Sequence, residues 1–277
     1  ANKICFLEEK EPKLHNEEVL NTNEVFNKLL DESDHRVDQP SVLKARLLDI
    51  LIADFDRHFG QWEWSKGDTG KGKLYYPIPR DRDQAMFYSD GFLMKIVSKK
   101  LLPFLKGFRY DIPDVNWLGE SAKDFDRVFL TDLDAKEWQD GIREMQEKLN
   151  DSVITAAVKK LPPEIYAIDG VALTNKLISR RNFLSTAGMK YYRFLSKKVN
   201  VVGSNQKEYF KLTGNPDGLN VRVYGRKKNN DASFVMYNRT FDQRVTKEIR
   251  LYGLNDDDLF DIDSTVSSHI RIRVIGG

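Results

Sequence analysis

Two short segments hold most of the residues in this chain that could do chemistry: Asp54-Phe55-Asp56-Arg57-His58-Phe59-Gly60-Gln61-Trp62-Glu63-Trp64 and, further on, Pro79-Arg80-Asp81-Arg82-Asp83-Gln84. Carboxylates stand in both, and an amide side chain, Gln61, follows Asp56 by five positions. Phosphoryl transfer needs that inventory: one carboxylate to orient and deprotonate a hydroxyl, an amide and a second carboxylate to hold a divalent metal. The same residues also suit a purely structural role. Arg alternating with Asp, as in residues 80–83, makes ion-pair ladders around buried aromatics. His58 would then cap the preceding helix, because a cation is favoured at a helix C-terminus.

The elements that must position these residues are legible in the periodicity. Ser41 to Asp54 predicts a helix: Leu43, Leu47, Ile50, Leu51 and Asp54 recur at helical spacing after a Pro40-Ser41 start. Its apolar run from Val42 to Ile52 delivers the first cluster. Burying Asp49 and Asp54 on such a segment is costly unless each meets an arginine, a histidine or backbone donors, and Arg46, Arg57, Arg80 and Arg82 are at hand. Residues 61–65 and 73–79 are expected to pair as an antiparallel hairpin. Trp62, Trp64, Leu74, Tyr75, Tyr76 and Ile78 suit cross-strand packing, and Lys66-Gly67-Asp68-Thr69-Gly70-Lys71-Gly72 suits the turn. That hairpin sets Asp56 and Asp83 at neighbouring ends. Its glycines lack the Lys-Ser/Thr of a phosphate loop.

Asp56-Arg57-His58 resembles the catalytic loop of atypical protein kinases (HipA-like, phosphoinositide and secretory-pathway casein kinases), which often write Asp-Arg-His where other kinases write His-Arg-Asp. Gln61 falls at the offset of the family's metal-binding Asn, with Gln one methylene longer, and the strand pair leads to Asp83 or Asp81 at the metal-Asp position. The resemblance implies that Asp56 orients the acceptor hydroxyl, that Arg57 and His58 support the loop, and that Gln61 with Asp83 binds Mg²⁺ or Mn²⁺, Asp81 being a second metal candidate. Ile4-Cys5-Phe6-Leu7-Glu8-Glu9 resembles the hinge strand between kinase lobes, which would bring Glu8 to a nucleotide. ATP is then expected only together with an N-terminal lobe, whose phosphate-covering loop and strand Lys are missing. Gln61-Trp62-Glu63-Trp64, the doubled Asp-Arg of residues 80–83 and, more loosely, Thr246 to Leu254 are not standard kinase text. They resemble a middle segment of large Bacteroidetes-type surface proteins, flanked there by a phosphoesterase-like region and an outer-membrane barrel. That implies a periplasmic or outer-membrane-associated setting, with other regions of the parent chain as partners and the membrane reached only through them. The alternative is a non-catalytic module that links those regions.

Along the rest of the chain, Lys3–Glu8 reads as a strand, and residues around Asn23–Asp31 and from Phe87 to Lys106 read as helices. Tyr110–Leu118 reads as irregular. Leu133–Leu149 and Ser152–Lys160 are amphipathic helices parted at Asn150-Asp151, a good cap pair. Gly170–Lys198 is a long helix with Leu173, Leu177, Leu184, Tyr191 and Leu195 as its buried stripe; Arg180-Arg181 and Tyr191-Tyr192 there read as packing and surface features. From Val199 onward the text is strand: 199–202, 208–212, 220–224, 233–239, 248–252 and 270–275. The expected fold is α+β: a mostly helical, kinase-C-lobe-like domain over 1–198 with the hairpin 61–79, then a β-rich module over 199–277 of sandwich or β-solenoid type. Proteolysis is expected near 199–207 or in the turns 215–218 and 226–231. Asn255-Asp256-Asp257-Asp258, with Asp261 and Asp263, offers oxygen ligands to calcium but lacks the EF-hand frame, which favours a solvated turn.

Bulk properties narrow the classes. The 277 residues, 40% hydrophobic and 31% charged, suit one large or two smaller globular domains. Basic and acidic residues, 44 and 42, nearly balance at a formal +2, which argues against nucleic acid as a partner. Cys5 alone forbids an internal disulfide or a multi-Cys zinc site, and its apolar setting suits a buried thiol. His15, His35, His58 and His269 are scattered, so a metal hydrolase pattern is lacking. No run reaches transmembrane length. The chain starts inside strand text and stops at Ile275-Gly276-Gly277, so it is expected to be an excised fragment whose targeting signal lay elsewhere.

Overall fold

Helix α2 (Gln39–Ile52) forms where periodicity and capping agree: Asp38 accepts from the Ser41 amide, and Pro40 occupies the first turn, where its missing N–H costs nothing. The computed structural model describes residues 19–88, 107–112, 114–226 and 232–276, a mixed α+β fold in which α2 is buried along most of its length. Before it come β1 (Leu20–Asn21), α1 (Thr22–Asp31) and β2 (Arg36–Val37); after it come β3 (Trp62–Asp68) and β4 (Lys73–Pro79). These strands form one sheet in the order β1-β3-β4-β2, antiparallel except for β4–β2.

The expected hairpin is β3–β4, with Trp62 opposite Pro79 and Asp68 opposite Lys73. It starts one residue late because Gln61 closes a 3-10 turn, Phe59–Gln61. Strand alternation puts Trp62 and Trp64 on the buried face. In the turn Gly72 has φ +151°, and a Cβ there would meet the Asp34 carbonyl oxygen at 2.0 Å, so only glycine lets the turn settle against the α1–β2 connection.

The helical part continues with α3 (Val115–Leu118), α4 (Lys123–Phe129), α5 (Ala135–Lys148), α6 (Asp151–Val158), α7 (Pro163–Ile165) and, through a π turn at Tyr166–Gly170, α8 (Val171–Ser196). Asn150 caps α6 as its sequence suggests. The short α3 lies in text read as irregular. On α8, Leu177, Leu184, Tyr191 and Leu195 are buried and Leu173 only partly so. α2, the hairpin, α4, α5 and α8 share one core, in which Trp62 stacks on Phe125 at 4.4 Å and Trp64 lies 5.0 Å from Phe129. The strand expected at Lys3–Glu8, Glu8 with it, and nearly all of the helix expected from Phe87 lie outside the described residues. Among the described residues no helix is long and apolar enough to cross a membrane.

Helix gives way to strand between Ser196 and Lys198. β5 (Lys198–Val202), β9 (Glu248–Leu254) and β11 (Arg271–Gly276) form a parallel sheet in the order β11-β9-β5. β6 (Glu208–Asn215), β7 (Gly218–Arg226), β8 (Ala232–Asp242) and β10 (Leu259–Ile262) form a second, in the order β10-β6-β7-β8. Val199, Val201 and Ile249 of the first and Phe210, Val221 and Phe241 of the second line one core, the packing of a two-sheet sandwich. β10 is a correction, since Leu259–Ile262 pairs in parallel with β6 inside the stretch read as a turn.

The aspartates around it serve separate contacts. Asp258 accepts from the Glu208 amide, Asp261 from the Tyr209 hydroxyl, and Asp256 and Asp257 pair with Lys207.

The junction after α8 is not a loose linker. The Asn205 amide donates to the Leu30 carbonyl, Ser33 donates to Gln206, and Tyr237 and Arg239 both donate to the Thr131 carbonyl. Cleavage at 199–207 is therefore no longer expected. Brief proteolysis should cut at the exposed turn 215–217 ahead of 199–207, read by mass spectrometry of the first fragments; the third expected site, 226–231, lies outside the described residues but for Arg226. A first cut at 199–207 would show the junction to be loose.

Candidate functional site

A buried ionic network underlies the two acidic segments. At the end of α2, Ala53 takes a left-handed conformation (φ 58°) and its amide closes the helix. The chain then turns Asp54 inward, where it is 1% exposed. Asp49, fully buried one turn back, accepts from three guanidinium groups: Arg46 Nη1 at 2.9 Å and Arg57 Nε at 3.2 Å on Oδ2, and Arg82 Nε at 2.9 Å on Oδ1. Arg46 Nε also donates to both oxygens of Asp126 on α4, and the Tyr191 hydroxyl of α8 donates to Asp126 Oδ2 at 2.7 Å.

Arg57 is the hub. Its Nη1 donates to the carbonyls of Arg80 (2.5 Å) and Asp81 (2.9 Å), its Nη2 donates to that of Gln61 (3.2 Å), and its guanidinium lies 4.6 Å from the Trp62 ring. The expectation that Asp49 and Asp54 find arginine partners holds for Arg46, Arg57 and Arg82. Arg80 faces Glu63 at 3.7 Å instead.

Three guanidinium groups thus meet three carboxylates. Burial opposes the charge on Arg46, but Asp126 and Asp49 outweigh it and hold its pKa above the ordinary value. Burial lowers that of Arg57 against the pull of Asp49 and Asp54. Asp54 is the imperfect member. Its Oδ1 accepts from the Asp56 amide at 3.3 Å, whereas its buried Oδ2 stands 3.7 Å from Arg57 Nε and has no hydrogen-bond partner. Burial therefore raises the Asp54 pKa to about 6, with Arg57 pulling the other way.

The residues singled out in the sequence divide into two groups. Arg57 and Gln61 are buried, and the Gln61 carbonyl takes both Arg57 and the Arg80 amide (2.8 Å), which clips the two segments together. Asp56 and His58 stand on the outside, 40% and 54% exposed, with His58 Nε2 3.9 Å from Asp56 Oδ1. His58 does not cap α2, which stops earlier at Ile52; its Nδ1 accepts from the Gly60 amide and opens the 3-10 turn. Asp81 and Asp83 are exposed, and Asp83 accepts from the Gln84 amide group at 3.0 Å. Within this network the described arginine pairs use Asp49, Asp54 and Asp126, not Asp56, Asp81 or Asp83.

Among the described residues no three His, Cys, Asp or Glu side chains are grouped to hold a metal ion. A donor set of carboxylates and one amide suits a hard cation that keeps several waters and uses one or two protein groups.

Asp126, Tyr191 and Arg180 were not singled out as parts of this site. Arg180 caps α2 from α8, donating to the carbonyls of Leu51 (2.6 Å), Ile50 (2.8 Å) and Asp111 (2.7 Å). Burial lowers its pKa to about 10. The available signal was its place between Leu177 and Leu184 on the buried stripe. Besides Ala53, two more non-glycine residues near the site have left-handed φ, Asp81 at 48° and Met86 at 57°. A groove of about 390 Å³ opens beside Pro79 and Arg82, bordered by Lys44 and Lys148, both paired with Glu144. Comparison with protein-family models, curated proteins and solved structures finds no match.

Proposed function

We propose that this chain carries the catalytic lobe of a kinase-like, metal-dependent phosphotransferase. In this reading Asp56 orients and deprotonates the acceptor hydroxyl, and Asp83 holds Mg²⁺ or Mn²⁺ with Gln61 and Asp81 as further donors. The observation that carries it is the Arg57 hub. One buried guanidinium ties the loop bearing Asp56 to the carbonyls beside Asp81 and Asp83, so two exposed acidic segments are fixed on one rigid base. Phosphoryl transfer depends on positioning and electrostatic clamping, and a locked base under open carboxylates supports that use. The strained backbone at Ala53 and Asp81 points the same way, since such conformations cluster at working sites. When bound, the metal supplies neutralisation of phosphoryl charge.

No Gly-rich phosphate loop occurs in the sequence, so ATP binding and turnover require parts that these 277 residues do not supply. By the same reading the partners are other regions of a surface protein, in a periplasmic or outer-membrane setting. The buried position of Gln61 favours a second possibility, a non-catalytic module that keeps the lobe's shape.

Calorimetry with Mg²⁺ and Mn²⁺, with and without ATP, separates them. The protein is expected to bind Mn²⁺ weakly, Asp83→Asn to weaken that binding on the order of tenfold, and neither to turn over ATP. Identical metal titrations in the two proteins would remove Asp83 from the site and leave the module. Robust ATP hydrolysis by the chain alone would overturn its expected dependence on a second lobe.

A further inference from the structure

A cavity of about 320 Å³ lies between the helical part and the β-sheets, sharing no lining residue with the acidic segments. Three of its lining residues, Leu30, Thr131 and Tyr237, are tied across the junction by the Asn205–Leu30 and Tyr237–Thr131 bonds. Phe26, Phe129 and Met236 belong to a largely apolar lining. Three charged groups break that lining, Arg36, Arg127 and Asp132. Arg127 faces Asp124 at 3.8 Å and the Phe194 ring at 5.5 Å, which leaves Arg36 and Asp132 without a charge partner of their own among the described residues.

The Arg36 guanidinium is half used. Nη1 donates to the carbonyls of Ser33 (2.8 Å) and His35 (2.5 Å), while Nε and Nη2 have no hydrogen-bond partner among the described residues. Asp132 is held by the Thr131 hydroxyl at 3.1 Å, and its amide donates to Gln39 Oε1 at 2.9 Å. Arg36 and Asp132 act on each other through space without closing as an ion pair among those described, and burial works against both charges. Burial also disfavours charge on His35, whose pKa it lowers.

The occupant's chemistry follows from these groups. An anion alone would sit against Asp132, and a cation alone against Arg36. A plain hydrocarbon would leave both charges further desolvated and unpaired. A compact molecule with both charges at one end and an apolar body at the other meets Arg36, Asp132 and the apolar wall together, and the volume is at the small end of ligand pockets. We propose that this cavity binds a free α-amino acid with a large apolar side chain, its carboxylate on Arg36, its ammonium on Asp132 and its side chain among Phe26, Phe129 and Met236.

Calorimetry and thermal shift on the whole chain test this with L-phenylalanine, L-leucine, 3-phenylpropionate, phenethylamine and toluene. One or both amino acids should saturate and raise the melting temperature, with each single-charge analogue weaker by on the order of tenfold. Asp132→Asn should erase the preference for phenylalanine over phenylpropionate. Met236→Trp, which puts a larger apolar side chain into the cavity wall and leaves both charged residues in the sequence, should abolish binding while circular dichroism shows a folded protein. Asp83→Asn should bind as the wild type does, so failure here is distinct from failure of the phosphotransferase reading. No saturation by either amino acid, equal binding of toluene and phenylalanine, or binding that survives Met236→Trp would overturn the site.

Discussion

Replacing Asp49 by alanine is expected to destabilise the protein by about 3–5 kcal/mol, the cost of breaking a buried ion pair. Asp49 is 0% exposed and is the common acceptor of Arg46, Arg57 and Arg82. Its loss leaves Asp126 as the one carboxylate on Arg46, and leaves Arg57 with backbone carbonyls and Asp54, whose contact at 3.7 Å is too long for a hydrogen bond. Two desolvated guanidinium groups then outlive much of their compensation. At about 2–4 °C per kcal/mol for a chain of this size, the melting temperature should fall by roughly 10 °C. Asp49→Asn keeps the shape and one acceptor oxygen and should fall less. Asp56→Asn, at the exposed end of the same segment, should stay within about 0.5 kcal/mol. Thermal melts of the three variants decide it. An Asp49→Ala protein that melts like Asp56→Asn would show that the network relaxes around the gap or that water replaces the carboxylate.

The fate of these acids shows how far residue types alone could go. A carboxylate on an apolar helix must be paired, so arginine partners for Asp49 and Asp54 were legible, as were α2 and the hairpin, whose signals are local. Asp126 was not legible: it meets Arg46 across 80 positions, and nothing in the α4 text distinguishes it from the solvent-facing Asp124. The role of His58 went astray because α2 closes at Ala53 with a left-handed residue that is not glycine, so no stop signal marked the end. β10 was hidden because its alternation passes through Asp261, whose carboxylate serves a tyrosine rather than solvent, and because its parallel partner β6 is remote in sequence. The Arg36 cavity has walls from α1, α4 and both sheets, and no local pattern encodes such a space.

Glu208→Gln is expected to make the protein more stable above neutral pH and to leave it nearly unchanged in acid. Glu208 opens β6 with 0% exposure; its Oε2 accepts from the Ser204 amide at 2.9 Å and its Oε1 from the Ser204 hydroxyl at 2.5 Å. Burial raises its pKa to about 7, against those bonds and the attraction of Arg36 and with the repulsion of Asp258. Because the folded value lies above the unfolded value of 4.5, the protonated acid is the form that the fold prefers. That contribution is complete below about pH 4.5, declines as pH rises, and is gone above pH 7 to 8, a loss of about 3 kcal/mol. Gln keeps one acceptor and one donor, as the protonated acid does, and cannot ionise. The stability difference between variant and wild type should therefore be near zero at pH 4.5 and grow to about 3 kcal/mol by pH 8, half of it gained by about pH 6, midway between the unfolded and folded values. Asp54, raised from 3.8 to about 6, has the same sign but a lower window, between about pH 4 and 6. Its titration is common to both proteins and cancels in the difference. Urea unfolding at half-unit steps from pH 4.5 to 8 measures it. A difference that stays flat across that range would mean that Glu208 is ionised in the fold at every pH, with Arg36 and the Ser204 donors outweighing its burial.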